Sequence, residues 1–75
     1  MNYKIETLNL ILLNDGKWSW YQLERGLTAK GLGGQFDTSK VIKDLLAEEL
    51  IKEIYNEKSL HPLYVITEKG KDSLL

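Results

Sequence analysis

The 75-residue chain contains no cysteine, which removes disulfides, thiolate metal sites and thiol nucleophiles at once. With one histidine, it can form no two-histidine metal pattern, and nothing pairs with that histidine as a triad. Enzyme chemistry therefore finds no support, and no cofactor or metal is expected. One proline and six glycines argue against disorder and against collagen-like repeats. The longest apolar run, Leu10 to Leu13, is far short of the roughly 20 residues needed to cross a bilayer. The amino terminus has neither a basic region nor a cleavage site, so a cytoplasmic protein with no membrane partner is the default expectation. This length allows one domain, residues 1–75, and no cleft between lobes.

Charge is present in balance but not evenly spread. Ten basic and eleven acidic residues leave a net −1, which by itself supplies little attraction to nucleic acid. Residues 17–43 carry +3, with Lys17, Arg25, Lys30, Lys40 and Lys43 set against Glu24 and Asp37. Residues 44–57 carry −4, with Lys52 opposed by Asp44, Glu48, Glu49, Glu53 and Glu57. The chain is polarised along its length.

Apolar spacing predicts a first helix from Tyr3 to Leu13, with Ile5, Leu8, Ile11 and Leu12 on its buried side and Asn14-Asp15-Gly16 as its stop. Leu10 and Leu13 widen the stripe beyond one packing partner, so either a second contact within the core or a dimer surface must cover them. Ser19 and Gln22 have capping-box spacing, and Trp18 with Leu23 has that of a hydrophobic staple, which starts a second helix at Trp20. It runs to about Lys30, where Gly31-Leu32-Gly33-Gly34 cannot hold helical backbone. That run is no phosphate-cradling loop, since no strand precedes it and no Gly-Lys-Ser/Thr follows. Asp37 caps a third helix from Thr38, with Phe36 and Val41 as a second staple and Val41, Ile42, Leu45, Leu46 and Leu50 as its core stripe. Two β-compatible runs, residues 52–55 and 63–67, flank a seven-residue tip and read as a hairpin. Thr67 then caps a short last helix to Leu75.

Three helices followed by a β-hairpin resemble the winged helix-turn-helix domain, an α+β, mostly α fold. The tail Tyr64-Val65-Ile66-Thr67-Glu68-Lys69-Gly70, taken with Ser19-Trp20-Tyr21-Gln22-Leu23, is similar to the corresponding parts of PadR-like and MarR-like bacterial regulators. The resemblance implies a DNA-reading module with its third helix in the major groove and the hairpin as the wing. These 75 residues leave no room for the extra dimerisation helices common in those regulators, so the DNA-reading module alone is expected, and the connection from Gly31 to Phe36 is longer than their tight turn.

On that plan the third helix offers Thr38, Ser39, Lys40 and Lys43 to phosphates and base edges, although the same pattern is also an ordinary solvated face. Asp44, Glu48 and Glu49 follow, so the helix should dock by its amino-terminal half. Gln22, Arg25 and Lys30 of the second helix are expected to clamp flanking phosphates, and Lys58, Ser59 and His61 to reach the backbone from the wing tip. Trp20 and Tyr21 read as packing residues rather than as a base-stacking platform. Leu10, Leu13, Val65, Leu74 and Leu75 suggest a surface covered by a second subunit or a protein partner. The expected function is binding of duplex DNA, as a homodimer, in transcription regulation. The alternative is a winged-helix module that binds another protein and never touches DNA, which suits the acidic segment at residues 44–57.

Overall fold

The computed structural model describes residues 3–32, 34, 37–58 and 60–75. Along them run α1 (Tyr3–Leu13), α2 (Trp20–Ala29), α3 (Thr38–Ala47), β1 (Ile51–Ile54), β2 (Leu63–Ile66) and α4 (Glu68–Ser73). The α+β, mostly α architecture expected from the sequence is the one observed, and its element order is compatible with a winged helix.

The apolar breadth of α1 has a structural cause. This helix packs against α2, α3 and β2, so no single stripe would suffice. Leu8 and Ile11 are essentially inaccessible, and Thr7 is buried with its hydroxyl donating to the Tyr3 carbonyl at 2.7 Å, as a buried hydroxyl must. Leu10 is also buried. It belongs to the monomer's own core, which corrects its assignment to a dimer or partner surface and takes up the alternative of a second contact within the fold. Leu12, placed by spacing on the core side, is instead 41% exposed.

The chain leaving α1 does more than turn. The Gly16 amide donates to the Tyr64 carbonyl at 2.9 Å, and the Tyr64 amide donates to the Trp18 carbonyl at 3.2 Å. One residue earlier, Asp15 Oδ1 accepts from the Ile66 amide at 2.8 Å. Residues 15–18 thus cover the edge of β2 that β1 leaves free, and they tie the start of α2 to the hairpin. Gly16 makes this turn with φ +74° beside Val65 and Ile54.

At α2 the Ser19–Gln22 capping box forms, with the Ser19 amide donating to Gln22 Oε1 at 2.8 Å. Trp18 packs on the core, and its ring lies directly over Gly26, where a Cβ would come within 2.8 Å of it. A glycine in mid-helix costs about 0.5–1 kcal/mol relative to alanine, and here it makes room for the indole. Leu23 and Leu27 complete the inner face.

The Asp37 carboxylate caps α3 by accepting from the Ser39 amide at 3.0 Å and the Lys40 amide at 3.4 Å. Phe36, the other half of the predicted second staple, lies outside the described residues. Ile42 and Leu45 are buried, with Val41 and Leu46 half-buried beside them.

Strands β1 and β2 pair antiparallel with Ile51 opposite Ile66 and Glu53 opposite Tyr64. Side chains alternate, so these four share the face toward the helices, while Lys52, Val65, Ile54 and Leu63 lie on the other. The Thr67 amide donates to the Leu50 carbonyl at 3.0 Å, and its hydroxyl bridges the Glu49 carbonyl (2.7 Å) and the Gly70 amide (3.0 Å). This places α4 so close to the end of α3 that Gly70 has no room for a Cβ against the Leu50 carbonyl. Thr67-Glu68-Lys69-Gly70 is therefore a structural clamp. One core, drawn from α1, α2, α3 and the hairpin, underlies all these elements.

Candidate functional site

The strip of α3 that faces away from the core begins at the Asp37 cap. Ser39, Lys40 and Lys43 are exposed, as expected, but Thr38 is only 8% exposed. Thr38 is corrected from a contact residue to a packing residue: as the first residue of the helix it turns inward, while the positions that follow point out. Ser39 and Lys43, one helical turn apart, open onto a shallow groove shared with Trp20, Ile42, Leu46, Glu53 and Tyr64. The α3 strip thus lies alongside the hairpin face. Glu53 brings a carboxylate into that groove, and burial, followed by the charge of Glu53, raises the Tyr64 phenol above its ordinary range. Tyr64 is therefore a neutral hydroxyl at any physiological pH.

The acids of α3 sit toward its other end. Glu48 accepts from Lys4 Nζ at 2.6 Å, a pairing that raises the Lys4 ammonium above its usual range, mainly through that hydrogen bond. The pair is exposed and joins α1 to α3 with little net stabilisation. Polarity along α3 is thus cationic at the first turns and acidic at the last.

A second groove, of about 600 Å³, lies between the start of α2 and the hairpin tip. Lys17, Gln22, Arg25 and His61 line it together with Ser19, Tyr21, Leu60 and Leu63, and no carboxylate is among them. Three of these had been expected to touch the same ligand from different elements, and the fold does bring Gln22, Arg25 and His61 to one place. Gln22 arrives with its carboxamide oxygen already used in the helix cap, leaving only the NH₂ free to donate. Lys17 was not among the expected contacts. Its position in a connector gave no periodic signal, and only the pairing of residues 16–18 with β2 carries it to the wing.

The remaining expected residues scatter. Lys30, at the far end of α2, is paired with Glu6 of α1 at 3.3 Å, so its charge is locally balanced. Lys58 is exposed, and its amide donates to Asn56 Oδ1 at 3.0 Å in a local turn. Ser59 lies outside the described residues. Trp20 is half-buried against the core, while Tyr21 is 56% exposed and meets Trp20 edge to face at 5.7 Å.

Of the apolar positions assigned to a partner, Leu74 joins Leu10 in packing on the chain's own core. Val65 is half-buried on the outer hairpin face, Leu13 is 75% exposed and Leu75 is fully exposed. Among the described residues there is no group of three side chains suited to hold a metal ion, and no helix is long and apolar enough to cross a membrane. Comparison of the chain with family models, with curated proteins and with solved structures finds no match.

Proposed function

We propose that the chain is a winged-helix module, similar to PadR-like and MarR-like bacterial regulators, which binds duplex DNA as a homodimer in the cytoplasm and regulates transcription. The amino-terminal half of α3 enters the major groove, and the wing and the start of α2 sit on the flanking backbone. The observation that carries this reading is the exposed Ser39, Lys40 and Lys43 strip, which begins at a capped helix start and ends before the acidic turns. Ammonium and hydroxyl groups on one short strip suit phosphate oxygens and guanine edges. A single module makes few phosphate contacts, and two linked modules gain affinity through effective concentration.

The test is a duplex titration at several salt concentrations. Replacing Lys40 and Lys43 together with alanine should weaken binding by about tenfold or more and lower the log–log salt slope by about two. Unchanged affinity and slope would remove α3 from the interface.

One observation favours a second reading, a module that docks another protein. Glu53 intrudes on the α3 groove, while Leu13 and Tyr55 are 75% and 78% exposed. A stoichiometric protein complex that is lost in Leu13→Asp and is not competed by DNA would decide for it.

A further inference from the structure

The groove between α2 and the hairpin tip differs in charge from two further grooves lined by described residues. The α3 groove sets Lys43 against Glu53, and the groove among α3, β1 and α4 sets Lys52 and Lys69 against Glu49, Glu53 and Glu68. Among the described residues that line the α2 groove, Lys17, Arg25 and His61 carry ionisable nitrogen and none carries a carboxylate. In a chain of net −1, that is an uncompensated concentration of positive charge. Three elements supply it: the connector before α2, α2 itself and the hairpin tip. Backbone bonds from Gly16 and Trp18 to Tyr64 hold the connector against β2, so the groove walls belong to one unit.

From this geometry we infer that the α2 groove is a proton-coupled site for a tetrahedral phosphate group, in which the imidazolium form of His61 joins Lys17 and Arg25 around one anion. With a DNA backbone as the source of the phosphate, the inference rests on the reading above; a free phosphate-bearing ligand would use the same chemistry. Arginine supplies a planar fork for two oxygens and lysine a point charge. Histidine is the one member whose charge changes near neutrality. The charged and titratable groups that line the groove with His61 are Lys17, Arg25 and the Tyr21 phenol. Glu24 and Glu57, the acids nearest in sequence to Arg25 and His61, are exposed and are not among the residues that line the groove. An anion bound against the imidazole favours its protonated form. By linkage, a ligand that favours imidazolium binds more tightly as pH falls, and the gain is lost as the imidazole deprotonates.

The experiment uses the full chain at constant low salt between about pH 5.5 and 8, the range in which an imidazole titrates. The probes are a mixed-sequence DNA duplex and, separately, sulfate, neither of which changes charge in that range. Duplex affinity should fall roughly three- to tenfold from the acidic to the neutral end. His61→Gln should bind at the weaker level with a flat profile, and His61→Arg at the stronger level with a flat profile. Lys17→Ala should lower affinity at every pH. Because the chain has a single histidine, its imidazole NMR signals report protonation directly and should shift on addition of either probe. A duplex that binds with the same pH profile in wild type and His61→Gln, and with the same affinity in Lys17→Ala, would overturn the groove inference and leave the DNA reading standing. Sulfate that shifts the His61 signals in a chain indifferent to duplex would support the site and remove the DNA reading. Silence toward both probes at acidic pH would end both.

Discussion

Helices α2 and α3 end with the same hydrogen-bond pattern around different residues. After α2, the Gly31 amide donates to the Thr28 carbonyl and the Leu32 amide to the Leu27 carbonyl, both at 2.9 Å. After α3, the Glu49 amide donates to Leu46 and the Leu50 amide to Leu45, both at 3.0 Å. Each is a Schellman end whose last amide belongs to a buried leucine, Leu32 or Leu50. Both need a left-handed residue, with φ +82° at Gly31 and +61° at Glu49. Glycine adopts this conformation without strain, whereas any other L-residue is disfavoured there by roughly 1–2 kcal/mol. The turn after α2 carries the residue that adopts this backbone most readily, and among the described residues nothing lies within 4 Å of where a Gly31 Cβ would stand. The turn after α3 is imposed from outside, by Thr67 on the Glu49 carbonyl and on the Leu50 carbonyl. The proposed reading helix is thus oriented at its acidic end by tertiary bonds, whereas α2 ends in a turn built on glycine.

The sharpest way to break the imposed turn is Gly70→Ala. The new methyl would collide with the Leu50 carbonyl and the Ile66 side chain, and backbone yields less readily than a side-chain tip. Overpacking of this kind costs about 1–3 kcal/mol, and the upper end is expected because relief requires α4 to leave. Urea unfolding should show a lower midpoint; a midpoint equal to wild type would mean that α4 is not held as described. Thr67→Val keeps the volume and deletes both hydroxyl bonds, so a loss of about 1–2 kcal/mol is expected from the cap and the bridge together. An effect below about 0.5 kcal/mol would show that the bridge contributes nothing to the turn. Both losses should leave the α2 groove, on the other side of the hairpin, with its anion response intact.

Much of this frame is legible locally. Ser19 with Gln22, Asp37 and Thr67 each name a helix start, because capping involves residues two or three apart. The hairpin is legible from alternation, with β1 one residue earlier than the run that suggested it and β2 one residue shorter. What escapes is decided by distant partners. The pairing of residues 15–18 with β2 spans some fifty residues, from Asp15 to Ile66, and no spacing rule announces it. That pairing is also what carries Lys17 into the candidate site. Leu10 and Thr38 look available along a helical wheel and are buried, since the wheel does not show that α1 is contacted on several sides or that α3 turns its first residue inward. Lys30 looks like a free cation until Glu6 arrives from another helix. Gly26 looks like a weak point of α2 until Trp18 lies across it. Ser39, Lys40 and Lys43 were read correctly as exposed, because a core stripe at 3.6-residue spacing leaves their side of α3 to solvent.

The last comparison exchanges the two left-handed residues. Gly31→Ala keeps its backbone amide bond to Thr28 and meets nothing among the described residues, so backbone strain sets its expected cost of about 1 kcal/mol, offset in part by a less disordered unfolded chain. Glu49→Gly should act in the opposite direction. It relieves φ +61° and removes an anion from the carboxyl end of α3, where the helix dipole disfavours negative charge. Against this stands the extra freedom glycine brings to the unfolded state, which leaves a net gain of about 0.5 kcal/mol. Thr67 decides whether that gain is seen. If its hydroxyl fixes the Glu49 carbonyl, the turn remains in place with either residue, and Glu49→Gly should stabilise the Thr67→Val background no less than wild type. A glycine that destabilises the chain in both backgrounds would mean that the Glu49 side chain, not the backbone turn, holds this end of α3.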